Sequence, residues 1–107
     1  MDPEATVQSI GDAITALDKQ LQSGNPPINS PEWQQLHTSR ENLDDQQQAL
    51  VLKDIQADDA TVQSAAATIA IATKTLQADI SKQGTIDTII KDVSQISAAA
   101  DTILKSA

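Results

Sequence analysis

The sequence predicts an all-α fold, an antiparallel up-down helical bundle of four helices, and three observations support this prediction. Apolar residues recur at alternating spacings of three and four in four segments, which is the period of an amphipathic helix. Proline or glycine separates most of these segments. The chain of 107 residues contains no Phe or Tyr, so its core has to consist of Ile, Leu, Val and Ala. That composition suits closely packed helices better than β-sheets, and we expect a single domain over residues 1–107.

The first helix is predicted from Pro3 to Ser23. Asp2 can accept hydrogen bonds at its start, Pro3 suits the first helical position, and Gly24 suits its end. The apolar stripe consists of Val7, Ile10, Ile14, Leu17 and Leu21.

The second helix is predicted to begin after Ser30 and to end near Ile55 or Gln56. The segment 25–29 cannot extend the first helix because it contains Pro26 and Pro27, whereas Ser30 and Pro31 suit a new helix start. One side of this helix is expected to hold Trp33, Leu36, Leu43, Leu50 and Val51. Arg40 and Gln47 fall within the same stripe. Because a buried charge is costly without a partner, we expect the Arg40 side chain to extend to the edge of the bundle or to pair with an acidic residue such as Asp44 or Asp12.

The third and fourth helices are separated by Gly84, and Thr85 can cap the fourth. The stripe of the third helix is Val62, Ala66, Ile69, Thr73, Leu76 and Ile80. The stripe of the fourth is Ile86, Ile89, Ile90, Val93, Ile96, Ala100, Ile103 and Leu104.

The boundary between the second and third helices is the weakest, because residues 57–60 contain neither Gly nor Pro. The alternative is a fold of three helices in which one long central helix spans residues 31–82 and is shared in a dimer. Such a helix would be about 75 to 80 Å long at 1.5 Å per residue, too long for a compact monomer of this size. We therefore favour a turn in which acidic residues cap the third helix.

Charge and composition exclude several classes of function. The net charge is −8, from 15 acidic against 7 basic residues, and it repels phosphate backbones, so no nucleic-acid partner is expected. No membrane partner is expected, because no apolar run approaches the roughly 18 to 20 residues of a membrane span. The N-terminal segment lacks the basic and apolar regions of a signal peptide, so we expect a cytoplasmic protein or one secreted by a signal-free route.

Catalytic chemistry is equally hard to place. The single His and the absence of Cys exclude the usual zinc ligand sets, and the three glycines are isolated from one another. No pair of acidic residues is expected to occupy the seam between helices. We therefore predict no enzyme, no cofactor and no metal site.

The functional hypothesis is a non-enzymatic protein–protein interaction module: an adaptor, an inhibitor or a secreted interaction factor. Its predicted contact residues lie in the Pro-rich connector and at the start of the second helix, and they are Ile28, Trp33, His37 and Arg40. Trp and Arg are the residue types that most often dominate binding energy. The identity of the protein partner stays open, and a homodimer is one alternative.

A second hypothesis, from another class, is a membrane-active helical toxin component. The Ala-rich third and fourth helices carry a low net charge, about −1 each against about −3 for each of the first two. Insertion of these two helices into a bilayer would be the mechanism.

Overall fold

The structure is a computed structural model, and it describes residues 2–106. Four α-helices account for most of these residues: α1 (Pro3–Gln22), α2 (Pro31–Leu52), α3 (Ala60–Ser81) and α4 (Ile86–Lys105). The all-α four-helix prediction is confirmed. The alternative with one long central helix is wrong, since α2 and α3 are separate helices in a molecule whose longest dimension is 42 Å.

Each helix begins with a side chain that accepts a hydrogen bond from the first turn. Asp2 accepts from the backbone N–H of Glu4 at 3.0 Å. At the other helices the backbone N–H donates to the capping side chain in the same way: Trp33 to Ser30 at 3.2 Å, Val62 to Asp59 at 3.0 Å, and Thr88 to Thr85 at 3.2 Å. Each of these bonds satisfies a donor that the helix itself leaves unpaired.

The second helix ends three residues earlier than the predicted Ile55. Lys53 has an extended backbone (φ −83°, ψ 140°), and its Nζ donates to the backbone oxygen of Ser106 at 2.8 Å. The residue that follows α2 is therefore in contact with the end of α4. Residues 53–59 form a connector that leads to the cap at Asp59.

Successive helices run in opposite directions, as predicted. The start of α2 contacts the end of α1 through Trp33 and Leu21, and Gln47 contacts Val7 further along. The helix beside α1 on its other side is α3, which runs parallel to it, and α4 lies parallel to α2 in the same way. The connector between α2 and α3 thus crosses the bundle diagonally. One layer contains α1 and α2, and the other contains α3 and α4.

The core repeats every seven residues, the spacing of left-handed bundle packing. The fully buried side chains at this spacing are Ile10 and Leu17 on α1; Leu36, Leu43 and Leu50 on α2; Val62, Ile69 and Leu76 on α3; and Ile89, Ile96 and Ile103 on α4. Second core positions lie between them on α1, α3 and α4, at Ile14, Thr73 and Val93 for example. On α2 the equivalent positions hold Arg40 and Gln47, so this helix contributes about one core residue per two turns.

Val51 was expected on the buried side of α2, and the structure places it outside, with 64 % of its surface exposed. One residue advances a helix by about 100°, so Val51 leaves the face that Leu50 occupies. The expected burial of Val51 is therefore wrong.

Candidate functional site

The connector between α1 and α2 forms a tight corner at one end of the bundle. Gly24 has a φ of +85°, a conformation that glycine adopts without steric cost, and it directly follows the last turn of α1. Gln20 donates to the backbone oxygen of Asn25, and Ser23 Oγ donates to the same oxygen at 3.0 Å. Beyond this hydrogen-bonded corner, Ile28 is 65 % exposed. The corner thus displays one large apolar side chain to solvent.

Trp33 is half-buried against the end of α1. Its Nε1 donates to the backbone oxygen of Leu21 at 3.0 Å. Its ring stacks on the His37 ring, with 5.0 Å between the ring centroids and 14° between the planes. His37 is exposed, and its Nε2 lies 3.8 Å from Glu41 Oε1. Contacts on both sides therefore fix the orientation of the indole.

Arg40 joins the two helices of the layer. Its Nε donates to Asp18 Oδ1 on α1 at 3.0 Å, and its Nη1 donates to Glu41 Oε1 at 3.2 Å. Asp44, one of the two predicted partners, lies further away at 3.9 Å, whereas the shortest ion pair is with Asp18 instead of the predicted Asp12. The Asp18 hydrogen bond and the three negative charges raise the pKa of Arg40. Arg40 is 24 % exposed and already paired, so it holds α1 to α2.

We expect a measurable coupling between Arg40 and Asp18. A double-mutant cycle with Arg40→Met and Asp18→Asn should give a coupling of about 1 kcal/mol in the free energy of unfolding, the upper part of the range for partly exposed ion pairs. Urea denaturation of the four proteins measures it. The exposed ion pair between Lys105 and Asp101 is the control, and its cycle should give a smaller coupling. Equal couplings in the two cycles would contradict a structural role for Arg40.

The four predicted residues occupy one end of the α1/α2 layer. We call them the connector surface: Ile28, Trp33, His37 and Arg40. Trp33, His37 and Arg40 follow one another along successive turns of α2. Ile28 precedes them in the connector. Partner binding by this surface stays a prediction.

A second feature of this layer could not be predicted from the apolar stripes. A groove of about 700 Å³ runs between α1 and the last turns of α2, and we call it the α1/α2 groove. Gln47 closes over Gly11 in this groove, since a Cβ atom at Gly11 would lie only 2.9 Å from Gln47 Nε2. Gln47 itself donates to the backbone oxygen of Val7 at 3.1 Å. Gly11 was the only signal in the sequence, and an isolated helical glycine does not specify a groove.

Two neighbouring carboxyl groups, the buried Asp92 and the half-buried Asp79, lie between α3 and α4. Asp92 is 5 % exposed, and its Oδ2 has no hydrogen-bond partner among residues 2–106. Burial, together with a hydrogen bond to Asp79 and the charge of Asp79, raises the pKa of Asp92 to about 7, and Lys91 acts in the opposite direction. The expectation that no pair of acids occupies a seam is therefore wrong. A proton shared between the two side chains would satisfy this unpaired oxygen.

Charge divides between the two layers. Residues 1–59, which form α1, α2 and the connector that follows, contain eleven acidic and three basic residues, whereas residues 60–107 contain four of each. Residues 1–52 thus carry a net charge of −6, from eight acidic and two basic residues, and the connector at residues 53–59 carries the other −2. A partner that approaches the α1/α2 layer meets a strongly negative surface.

Two further observations bear on the predicted classes of function. Among residues 2–106, no three His, Asp or Glu side chains are grouped closely enough to hold a metal ion. None of the helices in this range is both long and apolar enough to cross a membrane. The carboxyl pair at Asp79 and Asp92 does not line the α1/α2 groove.

Comparisons with protein-family models, with curated protein sequences and with solved structures find no match to this chain.

Proposed function

We propose that this protein is a non-enzymatic interaction module, an adaptor or inhibitor, that binds a protein partner through the connector surface. The observation that carries the proposal is the fixed orientation of Trp33. Its N–H bond to Leu21 and its stack on His37 hold the ring before any partner arrives. A side chain that is already ordered loses little conformational entropy on binding, and Trp is among the commonest hot-spot residues.

The surroundings of Trp33 support the same assignment. Ile28 adds an exposed apolar side chain at the adjacent corner, and His37 covers one face of the indole while remaining exposed itself. Arg40 is held by Asp18 and Glu41, so its contribution is to keep α2 in register with α1. We therefore assign the direct contacts to Ile28, Trp33 and His37, and a positioning role to Arg40.

The test compares two exposed isoleucines. Ile28→Ser and His37→Ala change the connector surface, whereas Ile71→Ser is the matched control on α3, since Ile71 is 68 % exposed against 65 % for Ile28. A protein captured from a cell extract by the wild type, and then purified, should bind Ile71→Ser with unchanged affinity. It should bind Ile28→Ser and His37→Ala at least about tenfold more weakly, the loss expected for a hot-spot residue.

Trp33 also provides a direct signal for the purified complex. It is the only tryptophan in a chain without tyrosine, so its emission reports on this surface alone when the partner contributes none at the same wavelength. We expect a blue shift when the partner binds, because the exposed edge of the indole leaves water. Unchanged emission together with equal affinity of all three variants would place the binding surface elsewhere.

The hypothesis of a membrane-active protein stays a prediction, and its support is the low charge of α3 and α4. Dye release from liposomes at neutral and acidic pH tests it. Leakage at either pH would favour it over the interaction module.

A further inference from the structure

The α1/α2 groove lies at the other end of the layer from the connector surface, and apolar side chains form part of its lining. Its apolar residues are Val7, Leu50, Val51 and Ile55, and the Gln47 side chain packs over the backbone at Gly11. Leu50 is buried, but Val51 is 64 % exposed, so a β-branched side chain stands at the edge of the groove with much of its surface in water. A ligand that covered this edge would remove apolar surface from solvent.

The rim of the groove is negatively charged. Glu4, Asp12 and Asp54 line it, and none of the three forms an ion pair with any residue between 2 and 106. Asp12 accepts a hydrogen bond from Gln8 at 3.1 Å, which leaves its charge uncompensated. The one basic residue of the groove, Lys53, is drawn away to the backbone oxygen of Ser106. The local field is therefore negative along the groove.

From these features we infer that the α1/α2 groove docks a basic amphipathic helix of a partner protein. A groove between two helices accommodates a third helix, which places its apolar face on Val7, Val51 and Ile55. Lys or Arg residues that flank this apolar face meet Glu4, Asp12 and Asp54. The inference goes beyond the proposed function, because it concerns a separate surface, and neither depends on the other.

The probe is a synthetic peptide of about 14 residues with Leu on one helical face and Lys on the other, since the groove extends from Pro3 to Thr15, roughly 18 Å along α1. Fluorescence anisotropy of the labelled peptide measures its affinity for the full chain at about 50 and about 500 mM salt, because screening separates the charge contribution from the apolar one. Two control peptides are required. One replaces every Lys by Glu, and the other has the same composition without amphipathic order.

Two triple variants test the position of the site. Glu4→Lys/Asp12→Lys/Asp54→Lys reverses the rim. Glu32→Lys/Asp45→Lys/Asp87→Lys makes the same change in net charge away from the groove, and it includes two acidic residues in first helical turns, Glu32 and Asp87, against one, Glu4, in the rim variant. Circular dichroism and thermal melts establish that both variants fold. The rim variant should weaken peptide binding at least about tenfold, and the distant variant no more than about twofold.

Val51→Asn tests the apolar contribution without a change in charge. It should weaken binding several-fold at both salt concentrations, since Val51 is exposed and its replacement leaves the core intact. Equal losses in the two triple variants would overturn the inference, because the peptide would then be responding to net charge alone. The inference would also be overturned if the Glu peptide, or the control peptide without amphipathic order, bound as tightly as the Leu/Lys peptide. So would a dimer of the free protein that Val51→Asn dissociates in sedimentation, because a second copy would then be the occupant.

Discussion

Asp92→Asn is expected to make the protein more stable at pH 8 and to change its stability much less at pH 4, close to the pKa of an unperturbed Asp in the unfolded chain. The asparagine side chain is neutral, as the protonated aspartic acid is, and its N–H can donate to Asp79 in place of the shared proton. The pKa of Asp92 in the folded protein is about 7, against 3.8 for an unperturbed Asp. Each unit of difference corresponds to about 1.4 kcal/mol, so we expect a gain of about 2 to 4 kcal/mol at pH 8.

The sign of the pH dependence follows from proton counting. Between about pH 4 and pH 7 the folded protein retains the proton on Asp92, whereas the unfolded chain has released it. The free energy of unfolding therefore falls as the pH rises through this range. Above pH 7, Asp92 is ionised in both states, and the folded protein then bears a buried charge beside Asp79. The charge of Lys91 offsets only part of this cost.

Urea denaturation of the wild type and of Asp92→Asn between pH 4 and pH 9 measures the effect. Other carboxylates also contribute to the pH dependence of a chain with a net charge of −8, so the difference between the two curves is the relevant quantity. Asp87→Asn is the control, since Asp87 is exposed on the same helix. Its curve should stay parallel to that of the wild type, and a parallel curve for Asp92→Asn would contradict the shared proton.

The helix boundaries illustrate what the sequence determines locally. The caps at Asp2, Ser30 and Thr85 were predictable because each bond joins residues two or three positions apart. The end of α2 was not, because Lys53 interacts with Ser106, which is 53 residues away in the chain. A periodic pattern continues to Ile55, and only the contact with α4 indicates where the helix stops.

The same distinction applies to the candidate sites. The order of Trp33, His37 and Arg40 along α2 follows from their spacing in the sequence. The acceptor of the Trp33 N–H and the ion pair between Arg40 and Asp18 depend on the register of α1 against α2. The burial of Asp92 depends on how closely α3 approaches α4, and Ala-rich helices do not specify that distance by periodicity alone.

Ile69→Ala should produce a large loss of stability, about 2 to 5 kcal/mol in the free energy of unfolding. Ile69 is completely buried at the centre of the α3 stripe. The chain has no Phe or Tyr, so Ile and Leu are the largest residues of this core, and the loss of one leaves a cavity that small neighbours cannot fill. Ala65 and Ala72, one turn away on either side, have no rotamers with which to repack.

Ile71 provides a control two residues along the same helix. Ile71→Ala removes the same atoms from a side chain that is 68 % exposed, so no cavity forms, and alanine is the better helix former. Its effect should lie within about 0.5 kcal/mol of zero. Both substitutions remove the same side-chain atoms at nearly the same position in the sequence. The difference between their effects on the free energy of unfolding therefore measures burial alone. Since a domain of this size is stable by about 5 to 15 kcal/mol, a loss at Ile69 in the upper part of the range would unfold a marginal bundle. Equal and small losses at the two positions would mean that α3 presents a different face to α1 and α4.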